Sequence, residues 1–133
     1  MGKETSLEPG KAVIGALITA LIMKLVLFDF MIAEGHSMQP AINPGRILIV
    51  NKLNYGFRWP GTGTYPVRWA VPGEGDIVVF ITPYGEIAVK RCIEIYSDGS
   101  FCAAGDNIAH SYDSRSYGPV PIDNIIGRVI GIK

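Results

Sequence analysis

The stretch Gly75–Tyr96, GDIVVFITPYGEIAVKRCIEIY, decides the fold of this chain. Gly75-Asp76 is a turn signal, and Ile77-Val78-Val79-Phe80 is a β-branched and aromatic run that fits a strand. Gly85 opens a second run with period-two alternation. It sets Ile87, Val89, Arg91, Ile93 and Ile95 on one face, and Ala88, Lys90, Cys92 and Glu94 on the other. Outward from there, Ser97-Asp98-Gly99-Ser100 predicts a hairpin turn, Arg46–Val50 an earlier strand, and Ile125–Ile130 a closing strand. Sixteen glycines and nine prolines suit short strands and many turns better than helices. The expected class is mainly β, a small antiparallel barrel or sheet spanning residues 34–133.

Ahead of that domain, residues 12–33 read AVIGALITALIMKLVLFDFMIA, broken only by Lys24 and Asp29. A helix over the whole segment would be about 33 Å long, enough to cross a bilayer core. It predicts one transmembrane anchor after a short tail at residues 1–11. Lys24 would then lie within the membrane and have to snorkel or pair, at a cost of about 3 kcal/mol at mid-membrane. A cleaved signal peptide fits poorly, because Met31 and Ala33 do not make a small-x-small site. The basic residues flanking the segment balance, so charge does not orient it.

Twelve basic and twelve acidic side chains cancel, which excludes the electrostatic footprint of a nucleic-acid binder. Cys92 and Cys102 flank the predicted hairpin and form no metal pattern. A two-residue Asp98-Gly99 turn would set Cys102 opposite Ile95 and put the two thiols on opposite faces, which disfavours a disulfide.

Just beyond the apolar run comes His36-Ser37-Met38-Gln39-Pro40. A serine hydroxyl needs a base to act as a nucleophile, and a lysine stripped of its charge can serve. Periodicity does not choose between Lys90 and Arg91 as the odd member of its strand, but chemistry does: arginine keeps its proton in proteins. Lys90 also has small neighbours, Ala88 and Cys92, which leave room for a bound chain. A third segment, residues 105–118, GDNIAHSYDSRSYG, is a polar loop in which Asp113 and Arg115 can pair. Between these blocks, Tyr55, Phe57, Trp59, Tyr65 and Trp69 sit among basic residues, as in a loop at the lipid headgroups or a plug at the end of a small barrel.

Together, Ser37–Pro40, Gly75–Phe80, Lys90-Arg91 and Gly105–Gly118 resemble, in order, the bacterial type I signal peptidases, membrane-bound Ser-Lys proteases. The resemblance implies that Ser37 is the nucleophile and Lys90 its general base. It implies that Ser111 orients the lysine amine, while Asp113 and Arg115 brace the loop. The Ser37 N–H would donate to the oxyanion; some members add a serine two residues earlier, where this chain has Gly35. Met38, Ala88 and Val89 would contact the substrate, accepting alanine-like residues one and three positions before the cut. No metal or cofactor is implied. The implied partners are signal peptides of exported pre-proteins, the lipid bilayer and the secretion machinery. The implied place is a bacterial cytoplasmic membrane, with the catalytic domain outside.

Other readings compete. A Ser-His-Asp protease would use His36 or His110 with Asp113. A related pilin-maturing peptidase would share the dyad and differ in substrate. A non-enzymatic anchored β-domain would need neither Ser37 nor Lys90.

Overall fold

The computed structural model describes residues 8–133. Helix α1 runs Pro9–Val26, started by a proline at its first turn, where the missing N–H costs nothing. It is long and apolar enough to cross a membrane, and none of it is buried against the rest of the chain. The expected apolar helix is therefore present as a candidate membrane span, but shorter than residues 12–33. Its first turn takes in part of the expected tail, of which residues 1–7 lie outside the described region.

The helix stops at Val26 because the next residues have a strand to pair with. Strand β1, Phe28–Ile32, lies antiparallel to β2, Ile47–Asn51, with Phe28 opposite Asn51 and Ile32 opposite Ile47. Two bonds from one residue close the junction: Lys52 donates its N–H to the Leu27 carbonyl at 2.8 Å and its Nζ to the Leu25 carbonyl at 2.8 Å. A lysine at a helix C-terminus both satisfies an orphan carbonyl and suits the helix dipole. The early stop also changes the position of Lys24. It sits in the last turn rather than mid-helix, within reach of the interface. Asp29 leaves the helix altogether and accepts the Phe30 N–H from within β1.

The remaining strands are β3, Gly56–Phe57; β4, Val67–Arg68; β5, Ile77–Ile81; β6, Ile87–Ile95; β7, Ser100–Ala104; β8, Val120–Pro121; and β9, Ile125–Ile132. Seven of the nine strands among the described residues form one curled antiparallel sheet in the order β1-β2-β9-β5-β6-β7-β8, while β3 and β4 pair separately. A short helix α2, Ser114–Tyr117, follows β7. Strand β5 reads as a continuous apolar run because both its faces are covered. Val78 and Phe80 join one core with Cys92, Phe101, Ala103 and Ile125, and Val79 joins a second with Met38, Ile42, Leu48 and Val50. Met38 and Ile42 come from the segment after β1, so core packing fixes the loop that carries Ser37.

The β6–β7 hairpin corrects the expected register. Tyr96 donates to the Ser100 carbonyl, so the loop is Ser97–Gly99, three residues, and Cys102 faces Glu94 rather than Ile95. A bulge between Cys92 and Glu94 then shifts the register by one more residue in the same direction, leaving Cys92 opposite Ala103. Two one-residue shifts restore the original faces, so the thiols end on opposite faces, both free. The same bulge moves Glu94 off the Lys90 face and turns Ile95 toward the first core. The aromatic segment divides: Tyr55 is buried and donates to Asp76, and half-buried Tyr65 donates to the Ile125 carbonyl, while Trp59 and Trp69 are exposed.

Candidate active site

Ser37 and Lys90 line one cleft of about 520 Å³. The cleft lies between two strand edges that carry no partner among the described residues. One is the outer edge of β1, the terminal strand of the sheet. The other is the Ile87–Lys90 half of β6, which β7 leaves uncovered because it pairs only from Arg91 onward.

Lys90 is 7% exposed and forms no ion pair among the described residues. Burial pushes its amine below the usual lysine range; the Asp113 carboxylate pulls the other way, and the Arg115 guanidinium adds to the depression. Lys90 is buried on the face it shares with Ala88 and Cys92, while Arg91 turns out to grip Asp106 through two bonds of 2.9 and 2.8 Å. No hydrogen bond joins Ser37 to Lys90 among the described residues. Their shared cleft, not a preformed contact, relates them.

Two segments hold the Ser37 backbone. Asn107 donates its N–H to the Ser37 carbonyl at 2.8 Å and its side-chain amide to the His36 carbonyl at 3.0 Å. Gly105 packs so close that an added Cβ would overlap the Ser111 hydroxyl and the Ser37 carbonyl oxygen. The Ser37 N–H takes no acceptor among the described residues, which leaves it free to donate. Gly35 has a positive φ of 75° and supplies no side-chain donor.

Asp113 organises the final loop. It caps α2 by accepting the Arg115 N–H at 3.1 Å, and it receives the Gly105 N–H at 2.9 Å and the Arg115 guanidinium at 2.9 and 2.6 Å. Burial alone would raise its pKa, but the bonds from Arg115, Ser111 and Gly105 outweigh it and hold the carboxyl well below the usual range. Ser111 donates its hydroxyl to Asp113 and makes no bond to Lys90 among the described residues. Asp113 and Arg115 thus brace the loop, and Ser111 is tied into that brace.

The histidines are elsewhere. His110 is exposed, contacts Asn107 through its ring at 3.4 Å, and does not line the cleft; His36 turns to Gln39 at 3.0 Å. With Asp113 committed to Arg115, neither has a carboxylate to orient it. Met38, Ala88 and Val89 all line the cleft.

Sequence reasoning gave no part to Asn107, Gly105 or the Arg91–Asp106 pair. The signal was the Gly-Asp-Asn triplet itself: its glycine is there for contact and its two polar residues each take a backbone or charged partner. Tyr84 and Tyr112, which also line the cleft, likewise carried no pattern in sequence, and Tyr117 entered only as the aromatic of the last block.

Comparison with known proteins agrees with this geometry. The family described as signal peptidase, peptidase S26, matches residues 6–98 and 94–132. The mitochondrial inner membrane protease subunit 1 of Schizosaccharomyces pombe is 35% identical over 124 residues, covering 78% of this chain and 72% of that one. The signal peptidase I of Pseudomonas aeruginosa is 28% identical over 129 residues, covering 93% of this chain and 42% of that one. That of Bacillus caldolyticus is 26% identical over 164 residues, covering 86% and 84%. The chain thus spans less than half the length of the Pseudomonas relative. The chain belongs to the S26 signal peptidase family, a family of serine endopeptidases.

Proposed function

We propose that this member of the S26 family is a membrane-anchored endopeptidase that removes signal peptides through a Ser37–Lys90 dyad. The observation that carries the reading is a buried lysine with no ion-pair partner among the described residues, its amine held below the ordinary range, sharing a cleft with a serine between two open strand edges.

The neutral amine of Lys90 takes the Ser37 hydroxyl proton as Oγ attacks the scissile carbonyl. The Ser37 N–H donates to the oxyanion. As the tetrahedral species collapses, the Lys90 ammonium gives its proton to the departing amine. A water deprotonated by Lys90 then frees the acyl group from Ser37, and the enzyme is restored.

Substrate fits as an extended chain hydrogen-bonded to the open edges of β1 and β6. Its direction follows from the anchor. Strand β1 leaves the end of α1 and leads toward Ser37, and a signal peptide likewise leads from its apolar segment to its cleavage site. The two chains therefore run parallel. Residues one and three before the cut face the side of Met38, Ile42 and Val89, where small side chains fit. The bacterial signal peptidase I relatives favour a bacterial membrane, and the catalytic domain would face the side on which signal-peptide cleavage sites emerge.

The test is cleavage of a pre-protein in detergent by the full chain and three variants whose folding is checked by circular dichroism. Ser37→Ala and Lys90→Ala should each lose about 10³-fold or more in kcat, with His110→Ala near wild type. Comparable cleavage by Lys90→Ala would overturn the dyad.

A further inference from the structure

We propose that the cleft has a second specificity wall, formed by Tyr84, Tyr112 and Tyr117, that takes a lysine or arginine side chain at the second or fourth substrate residue before the cut. This rests on the signal peptidase reading, because it needs an extended chain whose scissile carbonyl lies at Ser37.

The two faces of β6 belong to different surroundings. Val89 packs with Met38 against the second core, whereas Ala88 and Tyr117 pack against the first. A chain laid along the Ile87–Lys90 edge alternates its side chains in the same way. If the first and third residues before the cut settle on the Val89 side, the second and fourth turn to the Ala88 side. There the three tyrosines gather from two separate segments, with ring centroids 5.4 to 6.2 Å apart, and the Tyr84 and Tyr112 hydroxyls lie 3.2 Å from one another. Tyr84 and Tyr112 are 65% and 61% exposed, so their surfaces are available to a ligand.

Charge selects among the side chains such a wall can hold. Glu34 flanks the cleft from the β1 side and Glu86 from the β6 side; both are exposed, and neither has an ion-pair partner among the described residues. Among the described residues, the one basic side chain lining the cleft is Lys90, which is buried and in the proposed mechanism is neutral. Aromatic faces attract a cation, and two free carboxylates on the rim add to that attraction while repelling acidic residues. A long basic side chain satisfies both.

The experiment uses the full chain in detergent and peptides with alanine one and three positions before the cut. The second and then the fourth position carries alanine, arginine or aspartate. At one of the two, arginine should exceed alanine by about fivefold in kcat/KM, with aspartate below alanine. The arginine-to-alanine ratio should fall toward one in Tyr84→Ala and in Glu86→Gln. Equal rates for all three side chains at both positions, with the alanine peptide still cut, would overturn the wall and leave the peptidase reading intact. A preference that survives both variants would overturn the assignment to these residues. Failure of folded wild type to cut any of the peptides would overturn both readings.

Discussion

At Lys90 the chemistry of the site and the stability of the fold pull in opposite directions. In the proposed mechanism the neutral amine is the working form, so kcat/KM should rise with pH along a single ionisation below the ordinary lysine range, read directly from a pH–rate profile. Stability follows with a definite sign. A lysine whose pKa is lowered on folding binds fewer protons in the native state than in the unfolded one, so wild-type stability should rise with pH between the lowered value and the ordinary 10.5. Below that window the cost of burying the charge is felt in full. Lys90→Met fills the same space without a charge. It should lose about 10³-fold in activity yet melt higher than wild type near neutral pH, and its melting temperature should lack the wild-type rise toward alkaline pH. A lower melting temperature would show that the lysine contributes more through contacts than it costs through burial. The sequence singled out Lys90 over Arg91 because arginine keeps its proton, and Lys90 is the buried one of the two. It was silent on Asn107 and Gly105, whose work is done through backbone contact with Ser37 that no residue type announces.

Elements show where periodic reading succeeds and where it slips. Strands β5 and β6 were legible because each keeps a regular side-chain pattern over five or more residues. The hairpin turn and the bulge after Cys92 were not, since each depends on how backbone bonds close across two strands. The prediction that the thiols stay apart nevertheless held, because two one-residue shifts in the same direction leave each side chain on its original face. It has a direct chemical consequence. Cys92 is buried and its thiol is pushed up to about 11 by burial, while Cys102 is half-buried beside Tyr96. Iodoacetamide at pH 8 should label one thiol per native chain, at Cys102, and two after denaturation, located by peptide mass mapping. Recovery of a Cys92–Cys102 disulfide from the native protein would contradict the register, because residues on opposite faces of a ribbon cannot meet without moving the backbone.

For the whole molecule, the anchor and the sheet act as one body because so little chain separates them. Only Leu27 lies between the last residue of α1 and the first of β1, and Lys52 bonds across the junction to Leu25 and Leu27. The apolar run hid this boundary from sequence: Phe28–Ile32 is as apolar as the helix before it, and only the pairing partner in β2 makes it a strand. An 18-residue helix is about 27 Å long, near the thickness of a bilayer core, so in the proposed membrane-spanning arrangement its end would set the height of β1 and hence of the cleft. A membrane-held substrate presents its cleavage site at a height set by its own apolar segment. Productive binding therefore requires the two heights to match, as with any positioning that makes a reaction effectively intramolecular. Inserting Gly-Gly-Ser after Leu27 would break the Lys52 clamp and let the domain ride at variable height, without touching Ser37 or Lys90. In vesicles, that insertion should slow cleavage of a membrane-inserted pre-protein by about tenfold or more. Cleavage of a short soluble peptide by the same protein in detergent should change by less than about twofold, because no height need be matched. Equal slowing of both substrates would place the damage in the catalytic domain, and no slowing of either would show that the rigid junction plays no part in presenting the site.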